Sequence, residues 1–198
     1  WRSDGKTIAT VAVNLSSVQF AHAGLVEQVR ETLRRYDLDP RCLTLEVTES
    51  TAMRNVEASM VVLQELSEMG VHISIDDFGT GYSSLLYLKR LPAKELKIDR
   101  GFVRDLSDDT EDAAIISAIV ALAKALHLTV VAEGVETEQQ REFLKRLGCD
   151  SLQGYLLGKP MAAEKLAGWK TNAASGNEAI CAVTAELTAT MVAQGDAA

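Results

Sequence analysis

The chain has 198 residues, 47% of them hydrophobic and 24% charged, with a formal net charge of −8. That length and composition suit one globular domain with a sizeable core. The negative balance argues against a nucleic-acid polymer or an anionic membrane surface as a partner, though not against an anionic substrate held through divalent ions.

Taken in order, Thr7–Asn14 alternates apolar and polar residues like a strand and ends at Asn14. Leu25–Tyr36 has apolar residues at helical spacing, and Asp39-Pro40 breaks it. Leu43–Glu49 reads as a second strand. Asn55–Met69 reads as a helix with Val56, Met60, Leu63 and Leu66 on one face, ended by Gly70. A third strand through Val71, Ile73 and Ile75 ends on two adjacent acids, Asp76 and Asp77, followed by Phe78-Gly79-Thr80-Gly81, a turn with φ freedom at two positions. A short helix over Ser83–Lys89 and Pro92 lead to a fourth strand, Glu95–Asp99. Ser107-Asp108-Asp109 opens a long helix carrying Ile115, Ile116, Ile119, Val120, Leu122 and Leu126. Leu128–Glu133 is a near-continuous apolar run, as in a parallel strand buried on both faces. Thr137–Leu147 is a helix with a capping box from Thr137 to Gln140 and Gly148 at its end. Ser151–Tyr155 is a last short strand and Met161–Trp169 a last turn or helix.

Strand then helix, repeated at a spacing of about thirty residues, implies a parallel sheet with helices outside it. No GxGxxG follows any strand, so a dinucleotide fold has no support. Asn14, Glu46, Asp76-Asp77, Lys97, Glu133 and Gln153 each fall at or just past the carboxyl end of a successive strand. Those ends converge on one mouth in a closed barrel, whereas in an open sheet the outermost lie too far apart to cooperate. The reading is a (β/α) barrel of the TIM kind, with about six of the usual eight β/α units present. The barrel domain is expected over residues 1–168. Residues 169–198, rich in Ala and Thr, are expected to be an extension in which Ile180, Val183, Leu187 and Met191 form a helical stripe.

Asn14, Glu46, Asp76, Asp77 and Glu133 supply hard oxygen ligands, which suit Mg²⁺ or Mn²⁺ rather than zinc or copper. Two such ions roughly 3.5–4 Å apart are the common device for hydrolysing a phosphodiester by in-line attack. Lys97 is a point cation able to hold an attacking hydroxide or a phosphoryl oxygen, and Gln153 can position water or ligand. Each residue also has a plainer reading. Asp76 and Asp77 could be solvated acids opening a loop, Lys97 could pair with Asp99, Asn14 could cap a turn, and Glu49 and Glu136 could be loop acids. Six plain readings at six successive strand ends are harder to sustain together. His22, His72 and His127 follow no ligand spacing, and Cys42, Cys149 and Cys181 form no CxxC or zinc pattern. With no apolar run of membrane-spanning length and no visible signal peptide, a cytoplasmic setting is expected, including the cytoplasmic part of a membrane-anchored protein.

Val13-Asn14-Leu15-Ser16, Leu45–Ser50, Ile75–Ser84, Leu96–Asp99, Ala132–Thr137 and Gln153-Gly154-Tyr155 together resemble the EAL domain, a family of bacterial cyclic-di-GMP phosphodiesterases. The resemblance runs from Trp1 to about Leu166. It implies a modified TIM barrel with one antiparallel strand, and Mg²⁺- or Mn²⁺-dependent hydrolysis of cyclic di-GMP to linear pGpG. On that resemblance Asn14, Glu46 and Asp76 are ligands of a first metal, with Asp76 bridging. Asp77 and Glu133 lie on the second-metal side, Lys97 meets the catalytic water, and Gln153 sits in the active site. Glu49 anchors the Phe78–Ser84 loop, and the long helix starting near Asp109 belongs to a homodimer interface. A sensory or GGDEF-type domain is expected upstream.

The chain opens on Trp1 rather than Met, and the Glu-Ala-Leu signature that names the family is expected before it. That signature glutamate is a metal ligand in the family. The full-length protein is therefore expected to be an active phosphodiesterase, and the 198 residues alone to be inactive. The alternative is a non-catalytic cyclic-di-GMP receptor or interaction module.

Overall fold

A computed structural model describes residues 10–81, 85–104, 106, 110–161 and 179–180. Five β/α repeats lead the chain. They begin with β1 (Val11–Leu15), α1 (Ser17–Phe20) and α2 (Leu25–Arg35), then β2 (Leu43–Thr48), α3 (Glu49–Arg54) and α4 (Val56–Met69). Next come β3 (His72–Phe78), α5 (Leu85–Leu88), β4 (Glu95–Ile98), α6 (Arg100–Arg104) and α7 (Thr110–Ala125). The last are β5 (Thr129–Ala132), α8 (Glu138–Leu147), β6 (Ser151–Leu152) and β7 (Ala179–Ile180).

The strands form one sheet in sequential order, β1 to β7, and every described pair is parallel. Parallel strands buried on both faces should be apolar throughout, and here they are wherever chemistry does not intervene. Ile73, Ile75, Leu96, Ile98 and Val130 are fully buried, packed with Leu63 and Leu66 of α4, Ile116 of α7 and Leu144 of α8. Each such side chain contributes about 1.5–3 kcal/mol of burial.

Local signals set the helix ends. Ser16 and Thr137 form capping boxes with Gln19 and Gln140, Asn55 caps α4, and Gly70 and Gly148 close α4 and α8 in left-handed geometry. Other boundaries shift by a few residues from the sequence reading. The helix expected over Ser83–Lys89 is described over Leu85–Leu88, with Ser83 and Ser84 outside the described residues, and the strand expected over Ser151–Tyr155 is shortened to Ser151–Leu152.

One element differs in kind. Ala179–Ile180 runs as a strand parallel to β6, with Ser151 opposite Ala179, where a helical stripe was expected. The backbone groups on the outer side of β6 need partners, and an extended segment supplies them where a helix cannot. Val183, Leu187 and Met191, the Met161–Trp169 helix beyond Met161, Ser107-Asp108-Asp109 and Cys181 lie outside the described residues.

Curvature brings distant strands together. In a flat sheet β2 and β5 would lie ~14 Å apart. Instead Glu46 of β2 and Glu133, just past β5, reach the same ammonium of Lys97 on β4. The face carrying these residues is concave, as in the wall of a barrel. No helix among the described residues is long and apolar enough to cross a membrane.

Candidate active site

Adjacent residues in a strand point to opposite faces, so Asp76 and Asp77 should not serve one site. A register shift resolves this. Ile75 pairs with Leu96 and Phe78 with Ile98, so β3 spends one residue more than β4 over the same span. Such bulges bend a strand and re-aim a side chain. Here Asp77 takes the left-handed conformation, φ 53°, which Asp tolerates better than most residues. As a result one oxygen each of Asp76, Asp77 and Glu133 lies within 4.8 Å of the others.

Lys97 is the hub. Its Nζ stands 2.6 Å from Glu133 Oε1, 2.9 Å from Glu46 Oε1 and 3.3 Å from Asp76 Oδ1, and only 2% of the side chain is exposed. The alternative pairing with Asp99 does not occur. Asp99 Oδ1 instead accepts the Gly101 N–H at 2.8 Å.

Three carboxylates thus share one ammonium, with Asp77 beside them. Burial alone would lower the Lys97 pKa, but Glu133, Glu46 and Asp76 outweigh it and hold the ammonium above its ordinary value. Burial pushes Glu46 and Glu133 above the ordinary carboxylate range against the pull of Lys97. Asp77 is raised by burial, then by the charges of Asp76 and Asp99. The site carries more negative charge than Lys97 neutralises, a surplus that favours cation binding.

Asn14 gives an independent indication. One terminus of its amide lies 3.1 Å from Glu46 Oε2 and 3.3 Å from Asp76 Oδ2. With NH₂ there, Asn14 donates to both carboxylates. With oxygen there, three oxygens from β1, β2 and β3 converge, an arrangement that needs a cation between them. The donor set fits a hard divalent ion.

Two further predicted residues frame this cluster. Glu49, at the start of α3, is 2% exposed, and its Oε2 accepts the Gly79 N–H at 2.9 Å. Gly79 has φ 101°, and a Cβ there would lie 2.7 Å from Phe102. Only glycine fits the turn that carries the chain away from Asp77. A Cβ on Gly81 would meet Glu49 Oε1 at 2.7 Å, so the turn folds down over this carboxylate. Gln153 lies one residue past β6. Its N–H donates to Ala132 and its carbonyl accepts from Val135, at 2.8 and 3.0 Å, which ties it to the backbone on both sides of Glu133.

Three features escape the sequence reading. Ser74, fully buried, donates to Glu95 at 2.9 Å one layer below Lys97 on the same strand faces. Phe102 of α6 fills the space above Gly79. Gln140 does more than cap α8, since its Nε2 also donates to the Val103 and Arg104 carbonyls. Only the Ser74 pair left a signal, since Ser74 and Glu95 keep the period-two phase of Asp76 and Lys97.

The EAL domain model matches residues 1–160, and the chain belongs to the EAL domain family. It is 68% identical over 166 residues to MucR of Pseudomonas aeruginosa, a bifunctional diguanylate cyclase/cyclic di-GMP phosphodiesterase. That match covers 84% of this chain and 24% of MucR, so the chain spans about a quarter of that relative's length. A solved structure of the PaMucR phosphodiesterase in complex with c-di-GMP superposes with a TM-score of 0.78 at 70% identity, covering 79% of this chain and 64% of that one. The manganese/cyclic-di-GMP complex of BlrP1 from Klebsiella pneumoniae matches with a TM-score of 0.70 at 33% identity, covering 76% and 38%.

Proposed function

We propose that this chain forms the greater part of the catalytic domain of a metal-dependent phosphodiesterase that hydrolyses cyclic di-GMP to linear pGpG. The observation that carries the proposal is the bulge at Asp76-Asp77, which aims two adjacent carboxylates at Glu133 beside the buried Lys97. The names of the relatives support the substrate, and BlrP1, described with manganese and cyclic di-GMP, supports a divalent ion.

Asn14, Glu46 and Asp76 would hold a first Mg²⁺ or Mn²⁺, and Asp76, Asp77 and Glu133 would hold a second. Two such ions, when bound, stabilise the attacking and the leaving oxygen of an in-line displacement at phosphorus. The protein's own part is to orient and exclude. Lys97, fixed by three carboxylates, would stand beside the attacking water as a point cation, and Glu133 would accept the water's proton. Gln153 positions water or substrate, and Glu49 holds the Phe78–Gly81 turn over the site. The natural protein works as a homodimer behind a sensory or GGDEF-type domain.

Incubating the complete protein with cyclic di-GMP, with and without Mg²⁺ or Mn²⁺, and resolving the products by chromatography tests this directly. Metal-dependent pGpG supports it. Cyclic di-GMP binding without any pGpG instead establishes a receptor.

A further inference from the structure

We propose that Gln140 is a positioning residue that sets the Lys97–Glu133 geometry, an inference that rests on the hydrolytic reading of the site. Gln140 lies in the first turn of α8, on the outside of the sheet, and is only 5% exposed. Its Oε1 accepts the N–H groups of Glu136 at 2.8 Å and Thr137 at 2.9 Å. The bond from Thr137 is that of a capping box, and the bond from Glu136 extends it by one residue. The other end of the amide has no capping role. Its Nε2 donates to the carbonyls of Val103 at 2.9 Å and Arg104 at 3.2 Å, at the end of α6.

The two segments joined in this way are the exits from the two strands that carry the reacting pair. α6 begins three residues after Lys97, and Glu136 lies three residues after Glu133. Glu133 makes the last ladder bond of its strand, from its N–H to the Ile98 carbonyl at 3.2 Å, and from there the chain leaves the sheet. The exits also touch. A Cβ on Gly134 would lie 2.6 Å from Arg100 Cβ. Close contact keeps the two turns from collapsing further, and the Gln140 amide keeps them from separating. The 2.6 Å contact between Lys97 Nζ and Glu133 Oε1 is held between these limits.

A residue that only stabilised the fold would act on unfolding alone. A positioning residue alters the site within the folded molecule, as groups that orient metal ligands do, at a typical cost of about 10–100-fold in metal affinity or activity. Gln140→Met keeps the volume and loses all four bonds. Gln140→Glu keeps the acceptors for Glu136 and Thr137 and loses the donors to Val103 and Arg104, which preserves the cap should the Met variant fail to fold.

The experiment compares the full natural protein with both variants by Mn²⁺ titration followed by electron paramagnetic resonance, by kcat and KM for cyclic di-GMP, and by crystal structures. The expected result is about tenfold or greater loss in Mn²⁺ affinity and in kcat, KM within about twofold, and a longer Lys97–Glu133 separation. Wild-type Mn²⁺ affinity and kcat, with only a lower melting temperature, would overturn the inference. If the wild-type protein neither binds Mn²⁺ nor turns over, the hydrolytic reading fails instead. The Lys97–Glu133 distance in the variants then decides this inference alone, and an unchanged contact ends it.

Discussion

Lys97 Nζ lies 2.6 Å from Glu133 Oε1, although 36 residues and two helices separate them. The contact joins adjacent parallel strands and places the chain's one buried lysine among the described residues at the centre of its acidic cluster. Removing it should leave buried carboxylates without compensation. Lys97→Met is expected to cost about 3–5 kcal/mol of metal-free stability, the range for breaking a buried pair. Denaturant unfolding in EDTA measures it, and a loss under 1 kcal/mol would mean that the carboxylates find other relief.

Asp77 separates strain from function. Its left-handed backbone, φ 53°, is one that glycine adopts without cost. Asp77→Gly is expected to leave stability unchanged or raise it by up to ~1 kcal/mol, while turnover falls at least about 100-fold. Thermal unfolding and the hydrolysis assay check the two halves together. A variant both stable and active would remove Asp77 from the site.

The strand ends were legible because acids and amides follow apolar runs at a regular spacing, and that pattern survives in the fold from Asn14 to Gln153. The bulge was not legible. It depends on which β4 residues face Ile75 and Phe78, a register that a single strand does not encode. The same limit hid the partners of Lys97, since Asp99 is its neighbour in sequence while Glu46, Asp76 and Glu133 are its neighbours in space. Gln140 showed only its local half. The bonds to Val103 and Arg104 cross more than thirty residues. The strand at Ala179–Ile180 was missed because its apolar spacing also fits a helix.

Glu49→Ala removes the acceptor for the Gly79 N–H. Gly79 is exposed, so water can replace the lost acceptor and the stability cost is that of an ordinary hydrogen bond, about 0.5–1.5 kcal/mol. Because the same bond holds the turn beside Asp77, turnover is expected to fall further than stability accounts for. Hydrogen exchange at the Gly79 amide should accelerate in the variant, and unchanged protection would show that the turn is held elsewhere.

Cys149 provides a pH test remote from the site. Burial, then the Asp150 carboxylate, push its thiol up from 9.0 to about 11. With the folded value above the unfolded one, this group's contribution to stability is complete below pH 9.0 and is lost as the pH rises toward about 11. Alkylation of the native protein, followed at this cysteine by peptide mass spectrometry, is expected to accelerate up to about pH 11. A midpoint at or below 9.0 would contradict the burial argument.

The central claim is that Asp77 and Lys97 act in one hydrolytic centre built by the β3 bulge. Its most direct test is the rate of pGpG formation from cyclic di-GMP by the complete protein and its Asp77→Ala and Lys97→Ala variants at saturating Mn²⁺, with folding verified by circular dichroism. The account predicts that both variants fold and that each loses at least about 100-fold in turnover. Two folded variants with wild-type turnover would contradict it.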